Sequence, residues 1–174
     1  DIADSPNVQR LIDLGINVSI GHNKENISDA ELVIYSDAIP KENSELVEAL
    51  AKNIIVYSRA RMISEIAKLN NSTVAIAGTH GKTTTTSMVG TILKSMNLDP
   101  TIIVGGVVKS LESNSVLGAG DTFVVEADEY NKSLLHLSPT IAVINNIDFE
   151  HIECYNDIDD LKDTFLQFAN SVPF

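Results

Sequence analysis

The sequence predicts an α/β protein with a largely parallel sheet. Short β-branched apolar runs alternate with stretches of helical spacing along most of the chain. Three of the runs, ending near Ala77, Glu126 and Ile144, are strongly apolar, as strands covered on both faces of a sheet must be. The first of these three leads through a glycine-rich turn into a helical stretch, the order expected of a strand, a tight connection and a helix.

A chain of 174 residues makes one domain or two small ones, and 44% hydrophobic with 21% charged residues describes an ordinary globular composition. Acidic residues outnumber basic ones 24 to 12, for a formal net charge of −12. Such a surface repels a nucleic-acid backbone or an anionic membrane over most of its area, so any bound phosphate has to be held locally. The one cysteine, Cys154, has no internal partner for a disulfide, and no apolar run approaches the roughly 20 residues of a membrane span. A reducing cytoplasm is the expected location. The chain opens at Asp1 without a methionine or a basic-then-apolar leader, and closes at Pro173-Phe174, so it is expected to be a fragment of a longer protein.

The elements follow in order. Ser5-Pro6 supplies an N-cap and a proline at the first helical position, Val8, Leu11 and Ile12 share a face, and Gly15 ends the helix. Val18 to Ile20, Leu32 to Tyr35 and Ile54 to Tyr57 have strand composition. Between the last two, Leu46, Val47 and Leu50 give residues 43–52 helical spacing. Met62, Ile63, Ile66 and Leu69 repeat that spacing over 59–69, and Asn70-Asn71-Ser72 then punctuates the chain. A domain boundary is expected there, separating residues 1–70 from 71–174.

The second part reads as a strand at 73–77, a helix at 82–96, strands at 101–104, 122–126 and 140–145, and a helix at 157–169. Met88, Val89, Ile92, Leu93 and Met96 give the 82–96 helix one apolar face. Gly105 to Asp121 holds four of the nine glycines and has little periodicity. It reads as a long mobile loop with room for a short hairpin.

Chemistry concentrates at three strand ends. Gly78-Thr79-His80-Gly81-Lys82-Thr83-Thr84 lies between strand and helix, where glycines let backbone amides converge on phosphate oxygens. The helix N-terminus adds partial positive charge, the lysine ammonium reaches terminal phosphates, and the next hydroxyl is a magnesium ligand. The spacing departs from G-x-x-x-x-G-K-[ST], because Ile76 stands five residues before Gly81 and the first glycine is Gly78. The bland alternative is a plain strand-to-helix turn.

Glu126 ends the run Phe123-Val124-Val125 and is the candidate metal carboxylate, with Asp128 and Glu129 near enough to support it. A solvated acidic turn is the competing reading. The third end, Asn145-Asn146-Ile147-Asp148-Phe149-Glu150-His151, brings Asn146 and His151 as polar candidates. His22, after Gly21, and His136, within Leu134-Leu135-His136-Leu137, fit packing or hydrogen bonding better than ligation.

Taken together, A-G-T-H-G-K-T-T-T-T, F-V-V-E-A-D-E and N-N-I-D-F-E-H resemble the Mur ligase family of peptidoglycan synthesis. Gly21-His22, Ser36-Asp37-Ala38-Ile39-Pro40 and Ser133-Leu134-Leu135-His136-Leu137-Ser138-Pro139 are most similar to the branch that attaches L-alanine to UDP-N-acetylmuramate. The resemblance implies part of a Rossmann-like UDP-sugar domain, followed by the opening of a P-loop ATPase-type central domain. It implies ATP and Mg2+, and an amide-bond ligation through an acyl phosphate. The fragment by itself is expected to be inactive. It further implies phosphate contacts from Gly78, Thr79, His80, Gly81, Lys82, Thr83 and Thr84, metal binding by Thr83, Glu126 and His151, and catalytic work by Lys82, Glu126 and His151. Contacts to substrate would come from His22, Ser36 and Asn146.

In this chain Tyr130-Asn131 follows E-A-D-E, where the alanine-adding branch often has S-D, and Glu150 precedes His151 where aspartate is common. E-A-D-E-Y also occurs in the related recycling branch that joins a whole tripeptide to the same UDP-sugar, which is the alternative within the family. A P-loop kinase or GTPase would show D-x-x-G and N-K-x-D, and neither is present. A non-catalytic nucleotide-binding module remains the reading outside enzymes.

Overall fold

The structure is a computed structural model that describes residues 3–108, 113–148 and 154–173. The chain packs as two compact units, Asp1–Met62 and Ile63–Phe174.

In the first unit, α1 (Pro6–Asp13) starts at Ser5, whose hydroxyl accepts the Val8 N–H at 3.2 Å. Two short strands, β1 (Leu32–Tyr35) and β2 (Ile55–Ser58), pair in parallel with Leu32 opposite Ile55. Parallel strands need a crossover, and α2 (Ser44–Ala51) provides it, capped by the Asn43 carboxamide, which accepts from Glu45 N at 2.9 Å and Leu46 N at 3.4 Å. The strand expected at Val18 to Ile20 does not form. Strands exist by pairing, no described strand pairs with these residues, and Ile20 is largely exposed. Helix α3 (Arg59–Ala67) runs from the first unit into the second.

The second unit is built on a five-stranded sheet in the order β5-β4-β6-β3-β7. Its strands are β3 (Ser72–Ala77), β4 (Thr101–Val108), β5 (Ser113–Val116), β6 (Thr122–Glu126) and β7 (Ile141–Ile144). Among the described strands the pairs β3–β6, β3–β7 and β4–β6 are parallel, and β5 is antiparallel to β4. Helices cover both faces. Val74, Ile76, Val124 and Ile102 pack on one side with Val89 and Leu93 of α4 (Lys82–Ser95). Ala75, Ala77, Phe123 and Val125 pack on the other with Leu161, Phe165 and Phe168 of α5 (Ile158–Asn170). The two-residue period of the strands thus divides one sheet between two cores. Each fully buried Phe or Ile contributes about 1.5–3 kcal/mol through removal from water.

Two expectations are corrected here. Gly105 and Gly106 lie within β4 rather than in a long loop, whereas the short hairpin for which the stretch left room agrees with the antiparallel pairing of β5 on β4, with Ile102 opposite Val116 and a register shift between Ile103 and Val108. Glycines inside a strand mark bulges and close approaches as readily as loops. The apolar face of α4 is also divided: Val89 and Leu93 enter the core, whereas Met88, Ile92 and Met96 are exposed.

Candidate functional site

The site stands at the carboxyl ends of β6, β3 and β7, which are neighbours in the sheet. In an open parallel sheet this edge gathers the βα turns, and ligands bind there. The three polar segments picked out in the sequence follow these strands, and the order of the sheet brings them together.

The β3–α4 turn is held tightly against the end of β7. Gly78 has φ +131°, and a Cβ there would lie 3.0 Å from Asn145 Cβ and 3.1 Å from the amide nitrogens of Asn145 and Asn146. Only glycine permits both that backbone and that approach. Thr79 N–H donates to Asn146 O at 3.2 Å, and the Thr79 hydroxyl lies 2.8 Å from Asp148 N and 3.0 Å from Asp148 O. The Asn146 side chain spans the His80 peptide groups: its oxygen accepts His80 N–H at 2.8 Å and its nitrogen donates to His80 O at 3.1 Å. Asn145 donates to the same carbonyl at 3.2 Å. Asn146 therefore shapes the turn from beneath.

Helix α4 begins at Gly81, which is left-handed at φ +80° and offers no capping side chain. The first backbone N–H groups of this 14-residue helix thus have no side-chain acceptor at the cap, while the macrodipole makes that end attractive to anions. The His80 imidazole is exposed, 3.7 Å from the Asp148 carboxylate, and Thr84 is exposed in the first turn.

Two polar pairs complete the site. The Lys82 ammonium is bound by both oxygens of Glu129, at 2.8 and 3.0 Å, and donates to Gly78 O at 2.8 Å and Thr79 O at 3.3 Å. The side chains of Lys82 and Glu129 are 13% and 2% exposed, so this is a buried ion pair, and removing either partner alone strands a charge at a cost of about 3–5 kcal/mol. Beside it, the Thr83 hydroxyl donates to the Glu126 carboxylate at 2.9 and 3.1 Å, and Gly105 N–H donates to the same carboxylate at 2.8 Å. Among the described residues no three His, Cys, Asp or Glu side chains gather as a metal cage. A hydroxyl next to a carboxylate is an all-oxygen set that suits a hard cation such as Mg2+, which takes few protein ligands and completes its shell with water and phosphate. Thr83 and Glu126 fit that ion.

Behind Glu129, the Tyr155 hydroxyl donates to the Glu129 carbonyl at 2.5 Å. Burial first, and the nearby Glu129 charge second, push the Tyr155 phenol up to about 12.

The structure brings Gly78, Thr79, His80, Gly81, Lys82, Thr83, Thr84, Glu126 and Asn146 to one edge. His151 lies outside the described residues. His22 and Ser36 belong to the first unit. There His22 Nδ1 is 2.8 Å from Glu45 Oε2, and Asn26 donates to Glu45 Oε1 at 2.6 Å. Burial raises the Glu45 carboxyl, but the hydrogen bonds from His22, Asn26 and Asn23 outweigh it and hold the group below its ordinary value. Ser36 accepts Ala38 N–H at 3.4 Å in a turn after β1. His136, at the end of a 3₁₀ segment (Tyr130–His136), accepts the Ser64 hydroxyl through its carbonyl.

Sequence reasoning missed two contributors. Glu129 was visible only as a nearby carboxylate; its place as the partner of Lys82 depends on how the chain turns after β6. The Gly105 N–H could not be foreseen from a segment read as a loop, although a glycine pair beyond an apolar run is a signal for a bulged strand.

Two family models match the chain: the Mur ligase middle domain over residues 76–174, and the Mur ligase family catalytic domain over residues 1–71. The chain is 47% identical to the UDP-N-acetylmuramate–L-alanine ligase of Sulfurihydrogenibium sp. (strain YO3AOP1) and 49% identical to that of Geotalea uraniireducens (strain Rf4). Each match covers 100% of this chain and 38% of the relative, so the chain spans about two-fifths of the length of these proteins. Among solved structures, UDP-N-acetylmuramate-alanine ligase from Thermotoga maritima superposes with a TM-score of 0.88 at 31% identity, over 98% of this chain and 40% of that one. A second, UDP-N-acetylmuramate:L-alanyl-gamma-D-glutamyl-meso-diaminopimelate ligase from Neisseria meningitides, gives 0.85 at 27% identity, over 99% and 59%.

Proposed function

The chain belongs to the Mur ligase family, and from that premise we propose that it is the nucleotide-binding part of an ATP-dependent ligase that joins L-alanine to UDP-N-acetylmuramate. One observation carries the reading: Lys82 and the Thr83–Glu126 pair meet at the carboxyl edge of adjacent parallel strands, beside the uncapped start of α4. That arrangement suits a triphosphate and its metal. The alanine acceptor is supported by the two relatives and by the Thermotoga structure, all named for that activity.

The chemistry required is activation of a poor electrophile. The muramoyl carboxylate attacks the γ-phosphorus of ATP, the bond to the β–γ bridging oxygen breaks, and ADP leaves from an acyl phosphate. The alanine amine then attacks the acyl carbon, loses a proton, and phosphate departs as the amide forms. An anion approaching a triphosphate must have its repulsion offset where charge develops. The Lys82 ammonium and the α4 N-terminus do this from the protein's side. Thr83 and Glu126 would hold Mg2+, which would supply charge neutralisation at the phosphates, and His151 would help hold a second metal. Gly78 to Gly81 would surround the phosphates, with Asn146 engaging the Thr79 and His80 N–H groups and so holding the turn's conformation. His22 and Ser36 are assigned to the UDP-sugar substrate.

The test is ATP-dependent phosphate release by the protein expressed from its complete reading frame, with UDP-N-acetylmuramate and L-alanine, glycine, L-serine or the tripeptide offered separately. Release with L-alanine is expected, reduced at least about a hundredfold by Lys82→Ala or Glu126→Ala, the scale of losing one group that stabilises developing charge. Release with the tripeptide alone would move the protein to the recycling branch, in which E-A-D-E-Y also occurs. ATP binding with no release for any acceptor would leave a nucleotide-binding module.

A further inference from the structure

The reading of Lys82 as the cation of a phosphate loop leaves Glu129 without a task, yet this carboxylate is 2% exposed and grips the ammonium through both oxygens. A buried carboxylate a few ångströms from where a triphosphate would sit opposes the binding of that triphosphate, since like charges repel more strongly away from water. The Glu129 main chain is also fastened, by Tyr155 from α5's approach and by Lys132 N–H, which donates to Glu129 O at 2.9 Å.

Resting on the phosphate-loop reading above, we infer that Glu129 is a positioning residue for Lys82, anchoring the ammonium at the turn and offsetting part of its charge. Lysine has a flexible four-carbon stem and three donors. In this site the donors face four oxygens, two from Glu129 and the carbonyls of Gly78 and Thr79. Phosphate oxygens can displace the two neutral carbonyls while the carboxylate keeps its hold, because releasing the carboxylate would leave a buried, unpaired charge. The ammonium then meets ATP already fixed in direction, and partly neutralised. A lysine held in the reacting position at some expense of ATP affinity favours turnover over binding.

The consequence is a split between affinity and rate. In the complete protein, Glu129→Gln removes the negative charge but keeps the shape, so Mg-ATP should bind tighter, by about threefold or more, while turnover in the phosphate-release assay falls by about tenfold or more. A purely structural role cannot give this pair, because a less well-folded enzyme does not bind nucleotide more tightly. Glu129→Asp serves as the second variant: it retains the charge but draws the anchor back by one methylene. It should leave the Kd for Mg-ATP within about twofold of wild type and lower kcat several-fold, as displacement of a positioned group does. Equal or weaker ATP binding in Glu129→Gln overturns the inference, as does wild-type turnover in Glu129→Asp. Lys82→Ala distinguishes this failure from that of the underlying reading: if its Kd for Mg-ATP equals that of wild type, residues 78–84 are not a phosphate loop, and the role of Glu129 falls with it.

Discussion

At Gly78 the backbone has almost no alternative. A methyl group there meets Asn145 Cβ and two amide nitrogens at 3.0–3.1 Å, on a backbone with φ +131° that L-residues rarely adopt. Gly78→Ala should therefore destabilise the second unit by about 1–3 kcal/mol, read as a lowered denaturant midpoint with an unchanged slope. Tyr155 makes a different prediction. Its phenol is raised from 10.0 to about 12, so the folded state binds the proton more tightly than the unfolded one. The stability this confers is fully present below the unfolded value and is lost as pH rises through the folded one. Phenolate absorbance and unfolding should thus appear together between about pH 10 and 12, and Tyr155→Phe should flatten that loss of stability. The glycine-rich turn with Lys82 and Thr83 between strand and helix was legible in the sequence because its parts are consecutive. Glu129 was not, because its partner stands 47 residues away and their meeting is decided by the β3–β6 pairing.

The elements carry their own signals at their ends. Asp157 caps α5 by accepting Asp159 N–H at 3.0 Å and Asp160 N–H at 2.8 Å, and Asp157→Ala should cost about 1 kcal/mol. The packing of α4 on β4 is set by Gly90, where a Cβ would come within 2.6 Å of the Ile102 side chain, itself fully buried. Gly90→Val should overpack this contact and lower stability by about 1–3 kcal/mol; a thermal midpoint equal to wild type would show that Ile102 has room to move. Helices were the more readable elements, since caps such as Ser5, Asn43 and Asp157 and a 3.6-residue spacing are contained within each segment. Strands depend on neighbours. Val18 to Ile20 has strand composition without a described pairing strand, while Gly105-Gly106 has loop composition yet lies in β4, at the register shift against β5 and with the Gly105 N–H on the Glu126 carboxylate.

Across the whole chain the balance of 24 acidic to 12 basic residues sets a field that the site must overcome. Electrostatic steering normally speeds the capture of a charged ligand, but these 174 residues and the nucleoside triphosphate proposed as their ligand carry charge of the same sign. The cations that favour binding are local: Lys82 is paired with Glu129, and the start of α4 acts only within its first turn. At long range the charge of these residues should therefore repel a nucleotide, and attraction is expected only close to the turn after β3. Added salt should separate the two regimes. Raising ionic strength from about 0.01 to 0.15 M shortens the screening length from about 30 to 8 Å, which removes the long-range repulsion and leaves contact-range interactions with buried partners less affected. The association rate constant for Mg-ATP, measured by stopped flow, should accordingly rise with salt, whereas a protein that steers its ligand shows a fall. A fall here would mean that the positive potential of the turn reaches beyond the acidic surface, and that the net charge of −12 lies mainly on faces remote from the site.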